Sequence, residues 1–304
     1  MNSLTIGTRG SNLALNQAND VKKIIESKLR VKVTVKTIKT EGDIDKVTPI
    51  HMIPDKGFYT KEIEMSLLNH DIDIAVHSLK DLPLELSSPF EISAVLNRKS
   101  PMDILLTKDS KNINDFPNKS VIAVGSLRRK NQLINILPNI NTVDIRGNIE
   151  TRIKKIYDNN WDGLIVAKAA IQRLALDYNY YEFTDSEMVP APCQGIVALE
   201  TLKERSELSS ILNEVNHSLT FSISKIEREI AKEMDGGCKI PVGCLAKIDD
   251  GFLTILAYMS TIDGNFSIFE KVKGNLNDSG ILVKKVITQM KSKGLNDILK
   301  DRLN

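Results

Sequence analysis

Asp73-Ile74-Ala75-Val76-His77-Ser78-Leu79-Lys80-Asp81-Leu82-Pro83 is the stretch whose reading decides the fold. Ile72, Ile74 and Val76 alternate with Asp73 and Ala75, as in a β-strand, and Pro83, which has no N–H to donate to a ladder, stops it. Polar residues therefore collect at the carboxyl end of a strand. Upstream, Leu4 to Ile6 forms a short apolar run. A helix follows with Ala14, Ala18, Val21 and Ile25 on one face, then a strand over Val31 to Ile38. Downstream the same unit recurs. Val121 to Val124 runs into Gly125-Ser126 and a helix carrying Leu127, Leu133 and Leu137. Val143 to Ile145 runs into Arg146-Gly147-Asn148 and a helix with Ile149, Ile153 and Ile156. Leu164 to Ala167 leads into a helix over Ala169 to Leu176. Repeated strand-turn-helix units predict parallel sheets whose ligands bind beyond the strand carboxyl ends, so the fold class is α/β.

Two segments read as hinges: Asn97 to Pro101, and Val189-Pro190-Ala191-Pro192-Cys193-Gln194-Gly195. Two crossings divide the chain into a first lobe (1–97 with 196–214) and a second (98–195), with a cleft between them. The first carries Asp81 and a loop over Glu41 to Gly57, whose Pro49, Pro54 and Gly57 predict mobility. The second is rich in arginine. Residues 215–304 change pattern to a helix, three strands and a last helix, a small α+β domain.

With 304 residues and 41% hydrophobic content the chain can bury several cores. Lys and Arg number 41 against 39 Asp and Glu, and a net charge of +2 gives no field that argues for nucleic acid, so any anion site is local. Cys193, Cys238 and Cys244 are an odd count, which fits a reducing compartment better than a disulfide framework. Neither a signal-peptide stretch nor the roughly 18 to 20 apolar residues of a membrane span is visible. A cytoplasmic protein without a membrane partner is the expectation.

Arg9, Arg128, Arg129, Arg146 and Arg152 fall at or just inside the start of a helix that follows a strand. Free N–H groups and the helix dipole favour an anion there, and guanidinium adds bidentate carboxylate recognition. Each alone also reads as a solvated surface arginine, but several strand ends with one arrangement point to a shared cleft and a ligand with several carboxylates. Ser11 and Ser126 can cap helices or touch that ligand. Asp81, beside Lys80, can counter a developing cation, although a turn cap is the commoner use of Asp. Cys238, in Gly236-Gly237-Cys238, has glycines that leave its sulfur accessible, whereas Cys244 reads as a small buried apolar residue. The cysteines and His51, His70, His77 and His217 show no zinc-ligand spacing, so no metal is expected.

Taken together, the segments resemble the porphobilinogen deaminase (hydroxymethylbilane synthase) family across almost the whole chain. The matching stretches are Thr8-Arg9-Gly10-Ser11 with Leu13-Ala14-Leu15, Thr40 to Asp43, Lys56-Gly57 with Lys61-Glu62, and Asp73 to Pro83. They continue with Ser126-Leu127-Arg128-Arg129, Arg146-Gly147-Asn148 with Thr151-Arg152, Gln194-Gly195, and Glu227-Arg228 followed by Gly236-Gly237-Cys238 with Pro241. The resemblance implies two periplasmic-binding-protein-like (type II) α/β domains around a central cleft plus a small C-terminal α+β domain. It also implies a monomer that takes porphobilinogen as substrate and carries a dipyrromethane cofactor as a thioether on Cys238. Asp81, Lys80 and Arg9 would then be catalytic. Ser126, Arg128, Arg129, Arg146, Lys80 and Asp81 would hold the cofactor, and Arg9, Ser11, Tyr59, Ser78, Arg146, Arg152, Arg173, Gln194 and Gly195 the substrate.

Four positions depart from the family pattern. Val124-Gly125 replaces two hydroxyl residues, Tyr59 a phenylalanine, Met52 a lysine, and Cys193 a glycine, where the thiol either stiffens the hinge or is reactive. Two competing functions remain: a non-catalytic two-lobed anion-binding module, which needs neither Asp81 nor Cys238, and a thiol acyltransferase, which needs a base beside Cys238.

Overall fold

The computed structural model describes residues 3–44, 58–109, 112–234 and 240–301. The first lobe opens with β1 (Ser3–Thr8), α1 (Asn12–Leu29), β2 (Lys32–Thr37), α2 (Glu41–Ile44), α3 (Lys61–Leu68), β3 (Ile74–Ser78) and β4 (Phe90–Val95). The chain crosses to β5 (Asp103–Thr107), β6 (Val121–Val124), α4 (Leu127–Ile136), β7 (Asn141–Asp144), α5 (Ile149–Asp158), β8 (Gly163–Ala167), α6 (Lys168–Leu174) and β9 (Tyr180–Glu182). It then returns as β10 (Val197–Leu202) and α7 (Ser206–Leu212). The last part is α8 (Ser218–Glu233), β11 (Val242–Asp249), β12 (Phe252–Ser260), β13 (Ser267–Asn275), α9 (Ser279–Ser292) and α10 (Leu295–Asp301).

Two five-stranded sheets share one plan. Their orders are β2-β1-β3-β10-β4 and β7-β6-β8-β5-β9. In each, the first three strands are parallel, while the fourth runs antiparallel to both neighbours. The parallel sheets expected from the strand-turn-helix units are present in the first three strands of each, and the antiparallel fourth strand is an addition to that expectation. Strands β10 and β5 each arrive directly from the opposite lobe, without a helix to carry the chain back to the starting end, so they enter pointing the other way.

Within each lobe the expected physics holds. Helix α1 buries Ala14, Ala18, Val21 and Ile25 against β1 and β3, and Ser11 caps it by accepting the Ala14 N–H at 3.3 Å. Burying Val21 and Ile25 contributes about 1.5–3 kcal/mol each relative to exposure. The third sheet, β11-β12-β13, is antiparallel throughout. One face packs Ile255, Ala257 and Cys244 on α8, α9 and α10. The other sets Leu245, Leu256 and Tyr258 against Val189 of the second crossing, so the small domain is docked on a hinge.

The expected loop over Glu41 to Gly57 begins instead as the short helix α2. It is held by Gly42 N–H donating to Phe58 O at 2.9 Å, Glu41 N–H to Glu62 Oε1 at 3.1 Å, and Asp43 accepting from Thr40. The rest of that loop, with Met52, Lys56 and Gly57, lies outside the described residues, as does Cys238.

Candidate functional site

Strand β3 ends at Ser78, and Leu79–Asp81 forms a single 3-10 turn. Leu79 is fully buried and donates its N–H to Ile196 O at 2.9 Å, which pins the turn to the start of β10. With Leu79 anchored inward, Asp81 reaches the cleft surface. It lines a cavity with Arg9, Ser11, Tyr59 and Ser78. Ser78 exchanges hydrogen bonds with Gln17 of α1 (2.8 and 3.3 Å), and Ser11 is engaged as the α1 cap. Ser126 occupies the N-cap position of α4 without a side-chain capping bond.

Arg9 lines this cavity, and Arg146 and Arg152 lie near its Tyr59. Arg9 lies with its guanidinium carbon 4.2 Å from the Tyr59 ring centroid and pairs with Asp43 at 2.6 Å. Arg146 donates to the Tyr59 hydroxyl at 3.5 Å from the second lobe. Arg152 is aimed by its Nε donating to Gly147 O at 2.7 Å. Burial raises the Tyr59 phenol above its ordinary range, opposed by Arg146, Arg9 and Arg152. Burial lowers Arg152 to about 10, with Arg129 and Arg146 adding to the shift and Tyr59 and Asp81 opposing it. Of the five arginines expected to converge from separate strand ends, Arg9, Arg146 and Arg152 lie around Tyr59.

Gly125, which replaces an expected hydroxyl residue, has a local explanation. A Cβ there would lie 3.0 Å from Ile145 O and 3.1 Å from Arg152 Nη1, so the guanidinium fills that space.

Arg128 and Arg129 sit deeper, only 4% and 7% exposed. Both meet Asp103, the first residue of β5. Arg129 donates through Nε (3.0 Å) and Nη2 (2.8 Å) to Asp103 Oδ1, and Arg128 Nη1 lies 2.8 Å from Oδ2 while donating to Val189 O at 2.7 Å. Gln194 joins this floor. Its Nε2 donates to Asp103 Oδ1 at 2.9 Å and to Pro101 O at 2.7 Å, and its Oε1 accepts from Lys80 Nζ at 3.2 Å. Burial pushes the Asp103 carboxyl up, but Arg128 and Arg129 outweigh it and hold the group well below the usual carboxylate range. Burial lowers the Lys80 amine to about 8; Asp81 and Asp103 oppose the shift, and Arg129 and Arg128 reinforce it. Positive charge therefore exceeds negative charge here, which suits a ligand bearing carboxylates.

Arg173 does not join this group. It lines a separate cavity with Asn16, Asn19, Asp20, Lys22 and Lys23, and its Nη2 donates to Gly195 O at 2.8 Å. Burial lowers it to about 10, with Asp20 opposing. Gly195 itself packs on the first crossing, where a Cβ would lie 2.6 Å from Lys99 O. Cys193 is buried beside Leu79 and Ile196, and burial with the nearby Glu227 pushes its thiol far up, so it packs the hinge and is not a reactive thiol. Cys244 is likewise fully buried.

Asp103 and Asp43 are the site residues that sequence reasoning missed. The one signal for Asp103 is a charged residue heading an otherwise apolar run, Asp103-Ile104-Leu105-Leu106.

Comparison with known proteins extends over both lobes and the small domain. Residues 4–210 match the family description "Porphobilinogen deaminase, dipyromethane cofactor binding domain", and residues 221–292 match "Porphobilinogen deaminase, C-terminal domain". A porphobilinogen deaminase of Syntrophomonas wolfei is 41% identical over 277 residues, covering 90% of this chain and 89% of its own. That of Caldicellulosiruptor saccharolyticus is 38% identical over 293 residues, covering 96% of this chain and all of its own (100%). Among solved structures, a probable amino-acid ABC transporter extracellular-binding protein of Bacillus subtilis aligns with 76% of this chain and 97% of its own, at 15% identity and a TM-score of 0.43. With the two family descriptions covering the lobes and the small domain in turn, the chain belongs to the porphobilinogen deaminase family.

Proposed function

We propose that the cleft edged by Asp81 is where this transferase deaminates four porphobilinogen molecules in turn, joins them head to tail on a dipyrromethane primer, and releases hydroxymethylbilane by hydrolysis. The observation that carries this is the convergence of Arg9, Arg146 and Arg152 on Tyr59 and Asp81, beside the desolvated Lys80. The cationic surplus of that floor fits a dipyrromethane, whose acetate and propionate groups need just such partners. When bound, the cofactor supplies the nucleophilic pyrrole carbon to which the first substrate adds.

Cys238 carries the thioether, and Lys80, Ser126, Arg128, Arg129, Arg146 and Asp81 line the primer. Substrate carboxylates rest on Arg9, Arg146 and Arg152, with Ser11, Ser78, Tyr59, Gln194 and Gly195 completing the surroundings; Arg173, on its separate cavity, takes no part. The chemistry at Asp81 balances. The substrate's C–N bond breaks and its electron pair leaves with ammonia; the methylene cation left behind is stabilised by the Asp81 carboxylate, and the new C–C bond forms at the chain's terminal carbon. The proton then lost from that carbon passes to Asp81 and on to the departed ammonia. A monomer in a reducing cytoplasm is the state proposed, and the free, buried thiols of Cys193 and Cys244 fit that compartment.

Intact-mass spectrometry tests all of this. The purified protein should carry a two-pyrrole adduct, absent in Cys238→Ser, and gain single-pyrrole increments on addition of porphobilinogen. Asp81→Asn should keep the adduct but lose turnover by a factor of about 100 or more. A fully active protein without adduct would refute the tethered primer, and near-normal kinetics in Asp81→Asn would remove Asp81 from the chemistry.

A further inference from the structure

We propose that Asp103 is a built-in counter-anion for Arg128 and Arg129. It stands where a ligand carboxylate would otherwise be needed to hold the two guanidinium groups, and weakens their grip so that a growing polypyrrole can advance past them. The inference rests on the function proposed above.

Asp103 has no exposed surface, and a carboxylate at such a position is costly unless it is paired. Here its Oδ1 accepts hydrogen bonds from Arg129 and Gln194, while Oδ2 meets Arg128 as an ion pair at 2.8 Å without a hydrogen bond. One carboxylate serves two arginines and the Gln194 amide, with Lys80 on the far side of Gln194. Arg129 spends two of its donors on Asp103, and Arg128 one on Val189 O. Two buried arginines and the half-buried Lys80 thus face one fully buried acid, leaving an excess that attracts carboxylates at reduced strength.

That reduced strength matters for a reaction repeated four times. The chain must shift by one ring after each addition, and interactions equally strong before and after the shift speed nothing while slowing release. A partly neutralised arginine pair holds each passing carboxylate and lets it go. The placement also serves folding: without Asp103 the arginines would be buried and unpaired until a ligand arrived.

The test uses Asp103→Asn and Asp103→Glu, each with the primer attached, as verified by intact mass, and each combined with Cys238→Ser, which cannot attach it. Thermal midpoints are read for all forms, and the masses of enzyme-bound intermediates are followed after limiting porphobilinogen. In Asp103→Asn the primer-free form should lose far more stability than the primer-bearing form, and sodium acetate, against sodium chloride at equal ionic strength, should restore part of the loss. Its intermediates should persist about tenfold longer, with KM lowered as well as kcat. Asp103→Glu, which keeps the charge, should move both readouts back toward the parent. The proposal is overturned by an unchanged gap between primer-free and primer-bearing forms, by intermediates consumed at the parental rate, or by failure of Asp103→Asn to fold even with primer. Absence of stepwise adducts in the parent protein would instead sink the underlying function.

Discussion

Lys80 shows how one buried side chain acquires a pH dependence. Burial brings its amine down to about 8 from the ordinary lysine value of 10.5. Below pH 8 the folded protein holds it charged, able to grip a carboxylate. Between 8 and 10.5 the folded protein has lost a proton that the unfolded chain retains, so in that window this group adds stability as pH rises. Ligand binding and stability are therefore driven in opposite directions. KM for porphobilinogen should climb above pH 8 while the thermal midpoint shows no matching fall from this residue. Lys80→Arg, with a guanidinium that stays charged, should flatten the KM limb. An unchanged KM limb in Lys80→Arg would assign it to another group. Lys80 and Asp81 were legible in the sequence because charged residues directly after an apolar strand are visible in one dimension. Asp103 was not, since its role arises only when β5 and the second crossing meet at the cleft floor; Gln194 was legible as part of the Gln194-Gly195 motif, but its bond to Asp103 was not.

At the scale of elements, the parallel units and their helices were readable from apolar periodicity, and the antiparallel fourth strand of each sheet was not. Strands β5 and β10 are buried along their whole length, so they lack the alternation that marks a half-exposed strand, and each contains an acid, Asp103 or Glu200, at a buried position. His77 Nε2 meets Glu200 Oε2 at 3.0 Å, a pairing no sequence pattern announces. The hinge was legible as a Pro- and Gly-rich run, but its tightness was not. Gly195 has φ +87° and approaches the carbonyls of Lys99 and Ser100, while Lys99 N–H and Arg98 Nε donate to Gly195 O and Gln194 O at 3.1 and 2.9 Å. Gly195→Ala adds both an unfavourable backbone conformation and a clash with backbone, so a destabilisation of about 2–4 kcal/mol is expected in urea unfolding. A loss under about 0.5 kcal/mol would show that the two crossings can part freely.

For the molecule as a whole, the joint that matters is Glu227, a fully buried carboxylate on α8. It accepts from Arg98 of the first crossing at 2.6 and 3.2 Å, from Cys193 N–H of the second crossing at 2.6 Å, and from Ala246 N–H of β11 at 2.8 Å. Its neighbour Arg228 donates to Pro83 O and Leu84 O, just past the Asp81 turn, at 2.6 and 2.8 Å. Both hinge segments and the small domain are thus tied through a single side chain. Helix α8 ends at Glu233, five residues before Cys238 in the sequence. Glu227→Leu leaves Arg98 buried without its counter-charge and strips acceptors from two backbone N–H groups, a cost of about 3–5 kcal/mol. Arg98→Met made alone should be similarly damaging, but made on top of Glu227→Leu it should cost little or give some stability back, because the stranded guanidinium is then gone. A urea-unfolding double-mutant cycle reads that coupling directly, and additive losses would show that the pair is not the joint. In the double variant the dipyrromethane adduct should still be present by mass while kcat falls more than KM changes, since the primer is attached but no longer held in register with Asp81.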